Sequence, residues 1–268
     1  MDTMRDHDPR GTMAKVPAIT LGFWIIKILA TTLGEVGGDA VTMSWLGETT
    51  PDARASGISG YLVGTVIFAT IFAAVLALQI RARSFRPWLY WATIVASTTV
   101  GTTLADFVTR ALGIGYRGGS MLLLGLLLAS LLAWRRATGT IAVASVRTPR
   151  AELFYWLTIT LSQTLGTALG DWVADTRGLG YVGGMAIFGG LLAIVAALRF
   201  TTALSRTALF WSAFVLTRPL GAVVGDFLDK SHAQGGLELS RYTGSIVLLI
   251  AIALCVALLP QRPAAASH

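Results

Sequence analysis

Four aspartates recur at one offset from a tryptophan. Asp39, Asp106, Asp171 and Asp226 follow Trp24, Trp91, Trp156 and Trp211 by fifteen residues, each at the far end of an apolar run. A carboxylate in such a run is costly unless a proton, a base or a metal ion answers it. The chemistry open to the set is therefore ionic: binding or passing a cation, exchanging a proton, or pairing with a base. Lys27, Glu35 and Arg218 also lie in apolar runs but break the repeat. Carboxylates without Cys or His partners suit hard ions such as Mg²⁺, Ca²⁺ or Mn²⁺. Cys255 is the lone cysteine, and the three histidines lie outside the apolar runs, which disfavours a softer metal site there.

Catalytic signatures are missing. No Gly-x-Ser-x-Gly, phosphate-loop or His-Glu-x-x-His pattern occurs, so an enzyme is not expected. The GIGYRGG and GLGYVGG stretches look superficially like a potassium filter. Asp106 and Tyr116, or Asp171 and Tyr181, are too close in sequence to admit a pore helix. Tight glycine turns explain them.

These side chains need helices to hold them. At 100° per residue, positions 3, 7, 11 and 14 after each tryptophan form one stripe. The stripes read Lys27, Thr31, Glu35, Gly38; then Ile94, Thr98, Thr102, Ala105; then Ile159, Gln163, Thr167, Gly170; then Phe214, Arg218, Ala222, Gly225. Hydroxyls, an amide and charges cannot face lipid, so the stripes should face inward. Each aspartate sits about 22 Å along the helix from its tryptophan. Glu35 then lies near the middle of its run, and Lys27 close enough to one surface to snorkel. Pro219 next to Arg218 should disturb its helix. The small residues ten and fourteen positions after each tryptophan suit close helix packing. The aromatic-Trp pairs read as interfacial belt residues.

Composition sets the surroundings. Hydrophobic residues make up 54% of the 268 and charged residues 13%, half the usual charged share of a soluble domain, about 25%. Eight runs of spanning length, near 18–42, 58–80, 88–109, 114–134, 153–174, 181–199, 207–228 and 243–260, predict a polytopic all-α membrane protein. The net charge of +7 comes from basic residues in short loops, not from a nucleic-acid-binding face. Thirteen Lys and Arg fall on the side of the termini and six on the other. That bias puts both termini in the cytoplasm, and a bacterial inner membrane is the expected location.

The runs fall into four parallel two-helix repeats, about 17–82, 83–136, 150–200 and 204–260, related by an axis along the membrane normal. Tails of 1–16, taken as disordered, and 262–268 flank one transmembrane domain of 17–261. Four tandem two-helix units, each with one of the tryptophans named above, resemble a bacterial membrane family known as a repeat of unknown function. Its members are described as uncharacterised membrane-anchored proteins. The resemblance implies architecture and no activity.

Two readings of the aspartates follow. Each could cap its turn or pair with a base such as Arg110, Arg177 or Lys230. Alternatively the four converge with Glu35 on a shared interior. Glu35 and the four aspartates against Lys27 and Arg218 leave three negative charges, which favours a cation or proton over an anion. On that reading the protein transports a small cation, of the hard divalent class or coupled to protons. Asp39, Asp106, Asp171 and Asp226 are then metal-attracting groups, and Thr98, Thr102, Gln163 and Thr167 line the route. If the units close into a ring, Glu35 can pair with Arg218 across the junction, as a gate or as a clasp. The alternative function is a membrane scaffold with a fully paired, dry core. The lipid bilayer and the permeant ion are the expected partners, and no cofactor is indicated.

Overall fold

The computed structural model describes residues 15–48, 59–176 and 178–264. Among these residues the chain forms eight α-helices: α1 (Leu21–Asp39), α2 (Gly60–Arg81), α3 (Pro87–Asp106), α4 (Gly115–Thr138), α5 (Pro149–Thr176), α6 (Gly180–Thr201), α7 (Arg206–Asp229) and α8 (Arg241–Leu258). Short π-helical segments, Ala40–Trp45 and Phe107–Ala111, extend α1 and α3. Local signals set several starts. Thr20, Ser205 and Ser240 accept hydrogen bonds from the first turns of α1, α7 and α8, and Pro87 opens α3. Gly113, Gly115, Gly178 and Gly180 adopt positive φ in the two glycine turns, where the next helix begins at once.

Among the described residues six helices are long and apolar enough to cross a membrane: α1 with its π segment, α2, α4, α6, α7 and α8. The other two, α3 and α5, carry the densest hydroxyl content, including Thr93, Ser97, Thr98, Thr102 and Thr103 on α3 and Thr158, Ser162, Thr164 and Thr167 on α5, all buried. Protein surrounds those faces, so they need not be apolar. The even-numbered helices show the opposite pattern. Val66, Ile71, Leu78, Leu124, Leu128, Ile194, Leu249 and Leu254 stand exposed.

The odd-numbered helices form a closed inner ring, α1 on α3, α3 on α5, α5 on α7, and α7 back on α1. Each outer helix packs chiefly on the inner helix of the following unit: α2 on α3, α4 on α5, α6 on α7, and α8 on α1. The chain ends meet where the ring closes. Ala18 donates to the Arg262 carbonyl and Ala264 to the Val16 carbonyl, both at 2.8 Å, around a bridge between Pro17 and Pro263. Lys15 and Val16 are thus packed, not part of a loose tail; residues 1–14 lie outside the described residues.

One rule repeats around the ring in successive layers. At the tryptophan end, each unit's first aromatic contacts the next unit's tryptophan. Phe23 meets Trp91, Tyr90 meets Trp156, Tyr155 meets Trp211 and Phe210 meets Trp24, with centroids 5.5, 5.6, 6.3 and 5.8 Å apart. Trp91, Trp156 and Trp211 are buried. The expected interfacial belt is therefore an internal aromatic layer, because the inner ring is covered by outer helices. In the next layer the glycine ten residues after each tryptophan receives the next unit's residue at position seven. A Cβ on Gly34 would lie 2.4 Å from Thr98 Cγ2, on Gly101 2.8 Å from Gln163 Cβ, on Gly166 2.2 Å from Arg218 Cγ, and on Gly221 2.1 Å from Thr31 Oγ1. Gly38, Gly170 and Gly225 receive Thr102, Ala222 and Glu35 in the same way.

Candidate functional site

The ring's close packing turns all eleven sequence-selected residues inward. Lys27, Glu35, Asp39, Thr98, Thr102, Asp106, Gln163, Thr167, Asp171, Arg218 and Asp226 are buried, none more than 3% exposed. They form a column along the ring, from Lys27 near the aromatic layer, through Arg218 and Glu35, to the aspartates at the other end.

Lys27 does not snorkel. Its ammonium lies 4.2 Å from the centroid of Phe214 and 3.4 Å from Gln163 Oε1. Position three of the stripe faces the ring's interior, and an aromatic face with one amide oxygen is what it meets there. Arg218 spans the middle. Its Nη2 donates to Glu35 Oε2 at 2.9 Å and to the hydroxyls of Thr102 and Thr167, while Nη1 donates to the Thr31 carbonyl at 3.3 Å. One guanidinium on α7 therefore touches α1, α3 and α5. Thr102 also donates to the Gly34 carbonyl at 3.0 Å. The Thr98 hydroxyl, packed over Gly34, has no hydrogen-bond partner. Pro219 lies inside α7 directly after Arg218.

The aspartates do not cap turns. The chain continues helically beyond each of them, through π segments after Asp39 and Asp106 and through the last turns of α5 and α7. They pair through shared bases instead. Arg110 Nη2 donates to Asp171 Oδ2 at 2.9 Å, and its Nε lies 3.0 Å from Asp106 Oδ1. Lys230 Nζ donates to Asp39 Oδ2 and lies 3.0 Å from Asp226 Oδ1. Each base follows its own unit's aspartate by four residues and reaches across to the next unit's. The same offset holds Met43 and Asp175 in the first and third units, so the fourfold ring is twofold in charge. Asp229 pairs with Arg241, and Asp175 accepts from the Tyr116 hydroxyl at 3.0 Å. Beyond the last turn of α7, burial opposes the Lys230 ammonium, but Asp226, Asp39 and Asp229 outweigh it and hold its pKa well above the usual lysine range.

Glu35 comes close to two of the aspartates. Glu35, Asp39 and Asp226 each offer an oxygen, all within 4.8 Å of one another. Asp106 and Asp171 stand on the Arg110 side, so the four aspartates divide into two pairs and do not form one metal-like group. Counting Arg110 and Lys230 with Lys27 and Arg218 against the five carboxylates leaves one negative charge, not three. In the sequence Arg110 and Lys230 stand out only as generic partners. The spacing of four residues after the aspartate, one helical turn, was the usable signal. Arg177, the other suggested base, lies outside the described residues.

A family model described as Repeat of Unknown Function (DUF347) matches four stretches of the chain, residues 22–85, 89–140, 154–204 and 209–260. No curated protein and no solved structure matches it.

Proposed function

We propose, from the premise that this chain belongs to that family of repeats of unknown function, that it is an integral membrane protein that carries a small cation or a proton along the axis of its ring. The single observation that supports this reading is the meeting of Glu35, Asp39 and Asp226 inside the ring, within 4.8 Å. Three buried carboxylates from the first and fourth units are costly to gather in a membrane-embedded core, and a purely structural bundle does not need them. Exposed Leu, Ile and Val on the outer helices and the apolarity of six helices support membrane embedding. The excess of basic loop residues on the side of the termini supports a cytoplasmic placement for both chain ends.

In this reading the described state is closed. Arg218 occupies the middle of the axis and neutralises Glu35, while the aromatic layer seals the tryptophan end. Opening requires the guanidinium to leave Glu35. Pro219 cannot donate to the carbonyl one turn back, which gives α7 a bend point beside Arg218. The aspartates attract a cation at the opposite end, where the Arg110 side chain is 28% exposed. Thr102, Thr167 and Gln163 supply oxygens between the two ends.

A scaffold is the rival, and Arg218 favours it. One side chain tied to three other helices is also what a permanent clasp would look like. Glu35→Gln separates the two. The test is flux into proteoliposomes across monovalent and divalent cations, with a pH probe inside. Transport predicts uptake by the wild type and loss of it in folded Glu35→Gln. No uptake of any cation by demonstrably folded wild type would leave the scaffold.

A further inference from the structure

We infer that a hard divalent cation binds among Glu35, Asp39 and Asp226 by taking the place of the Lys230 ammonium. The inference deepens the transport reading by naming the substrate class, and it rests on that reading for its role; the binding itself is measurable without flux.

Size comes first. Divalent ions hold carboxylate oxygens at about 2.0–2.6 Å, so oxygens on opposite sides of one ion stand about 4–5 Å apart. The three carboxylates offer oxygens within 4.8 Å of one another. The cluster is also incompletely used. Asp39 is 1% exposed, and its Oδ1 accepts no hydrogen bond, because Lys230 engages only Oδ2. A buried carboxylate oxygen without a donor is a ligand for positive charge.

Charge then selects the ion. Three carboxylates face two fixed cations, Arg218 at Glu35 and Lys230 at the two aspartates. One negative charge remains. Exchanging Lys230 for a monovalent ion leaves that deficit unchanged. Exchanging it for a divalent ion closes it, since Arg218 and the ion together balance all three carboxylates. Lys230 is also able to leave. It lies one residue past the end of α7, its side chain is 10% exposed, and Asp229 stands 3.8 Å from Nζ as an alternative partner. The Met43 sulphur, 3.7 Å from Nζ, is a soft atom beside the lysine. Three carboxylates against one thioether keep the preference on hard ions.

The test is Mn²⁺ titration of the purified full chain in detergent, followed by calorimetry and electron paramagnetic resonance, with Mg²⁺ and Ca²⁺ as competitors. The expected result is one Mn²⁺ per chain. Lys230→Met, which removes the built-in competitor, should bind at least tenfold tighter. Asp39→Asn should bind at least tenfold weaker. A Lys230→Met protein that is folded by circular dichroism and binds no tighter than wild type would overturn the exchange. If either variant fails to fold, the wild type decides: no bound ion at millimolar Mn²⁺ ends the proposal. Binding without flux in proteoliposomes leaves the site standing and removes the transport reading; flux of a cation without Mn²⁺ binding does the reverse.

Discussion

Gly166 is a residue where one added methyl group meets a tightly held neighbour. Its Cβ would lie 2.2 Å from Arg218 Cγ and 2.4 Å from Arg218 Cβ, beside Pro219. The arginine cannot yield easily, since its guanidinium is held by Glu35, Thr102 and Thr167. Gly166→Ala should therefore destabilise the protein by about 1–3 kcal/mol, read as a lower thermal midpoint in detergent. Gly125 gives the contrast. It lies on the exposed face of α4, and nothing stands within 4 Å of its would-be Cβ. Gly125→Ala should be neutral or stabilising by up to about 1 kcal/mol. A midpoint for Gly166→Ala as high as that for Gly125→Ala would mean that the inner helices are not in this contact. The offsets of these glycines were plain in the sequence. Which side chain each one receives was not, because the partner sits on another helix.

At the scale of helices, the same limit appears in the aromatic layer. Tyr90 on α3 and Tyr155 on α5 share a hydrogen bond of 2.7 Å between their hydroxyls, both buried. Tyr90→Phe leaves the Tyr155 hydroxyl without this partner and should cost about 1–3 kcal/mol, whereas the double Tyr90→Phe, Tyr155→Phe variant should cost less than the sum of the singles. A double-mutant cycle on unfolding in detergent reads this coupling, and additive effects would count against the α3–α5 contact. The existence of all eight helices was legible from apolar runs, and their observed bounds differ from the expected ones by a few residues at most. The charged pairs were only half legible. A base four residues after Asp106 and Asp226 lies one helical turn away, which sequence spacing exposes. Its second contact, from Arg110 to Asp171 or from Lys230 to Asp39, crosses to a neighbouring unit and has no sequence period.

For the whole molecule, closure of the ring is the decisive feature. The outer helix of the fourth unit covers the inner helix of the first, and a Cβ on Gly37 of α1 would lie 3.8 Å from Ser245 Oγ on α8. The serine oxygen marks where a cysteine sulphur would stand at position 245, so cysteines at these two positions are placed for a cross-link between α1 and α8. In a chain whose single native cysteine is replaced by Cys255→Ala, Gly37→Cys with Ser245→Cys should cross-link on mild oxidation. Proteolysis between α1 and α8, followed by electrophoresis with and without reductant, reads the link. An open row of hairpins would not form it within one chain.

The repeat, the number of helices and the inward polar stripe follow from sequence alone, because covalent spacing converts directly into position on a helix. The burial of Trp91, Trp156 and Trp211, the inward Lys27 and the division of the aspartates between two bases come only from the tertiary structure. Four units that share one spacing present the same face at the same period, and their sequence says nothing of which neighbour meets which face. That choice belongs to the hand of the ring, and it decides which carboxylate meets which cation.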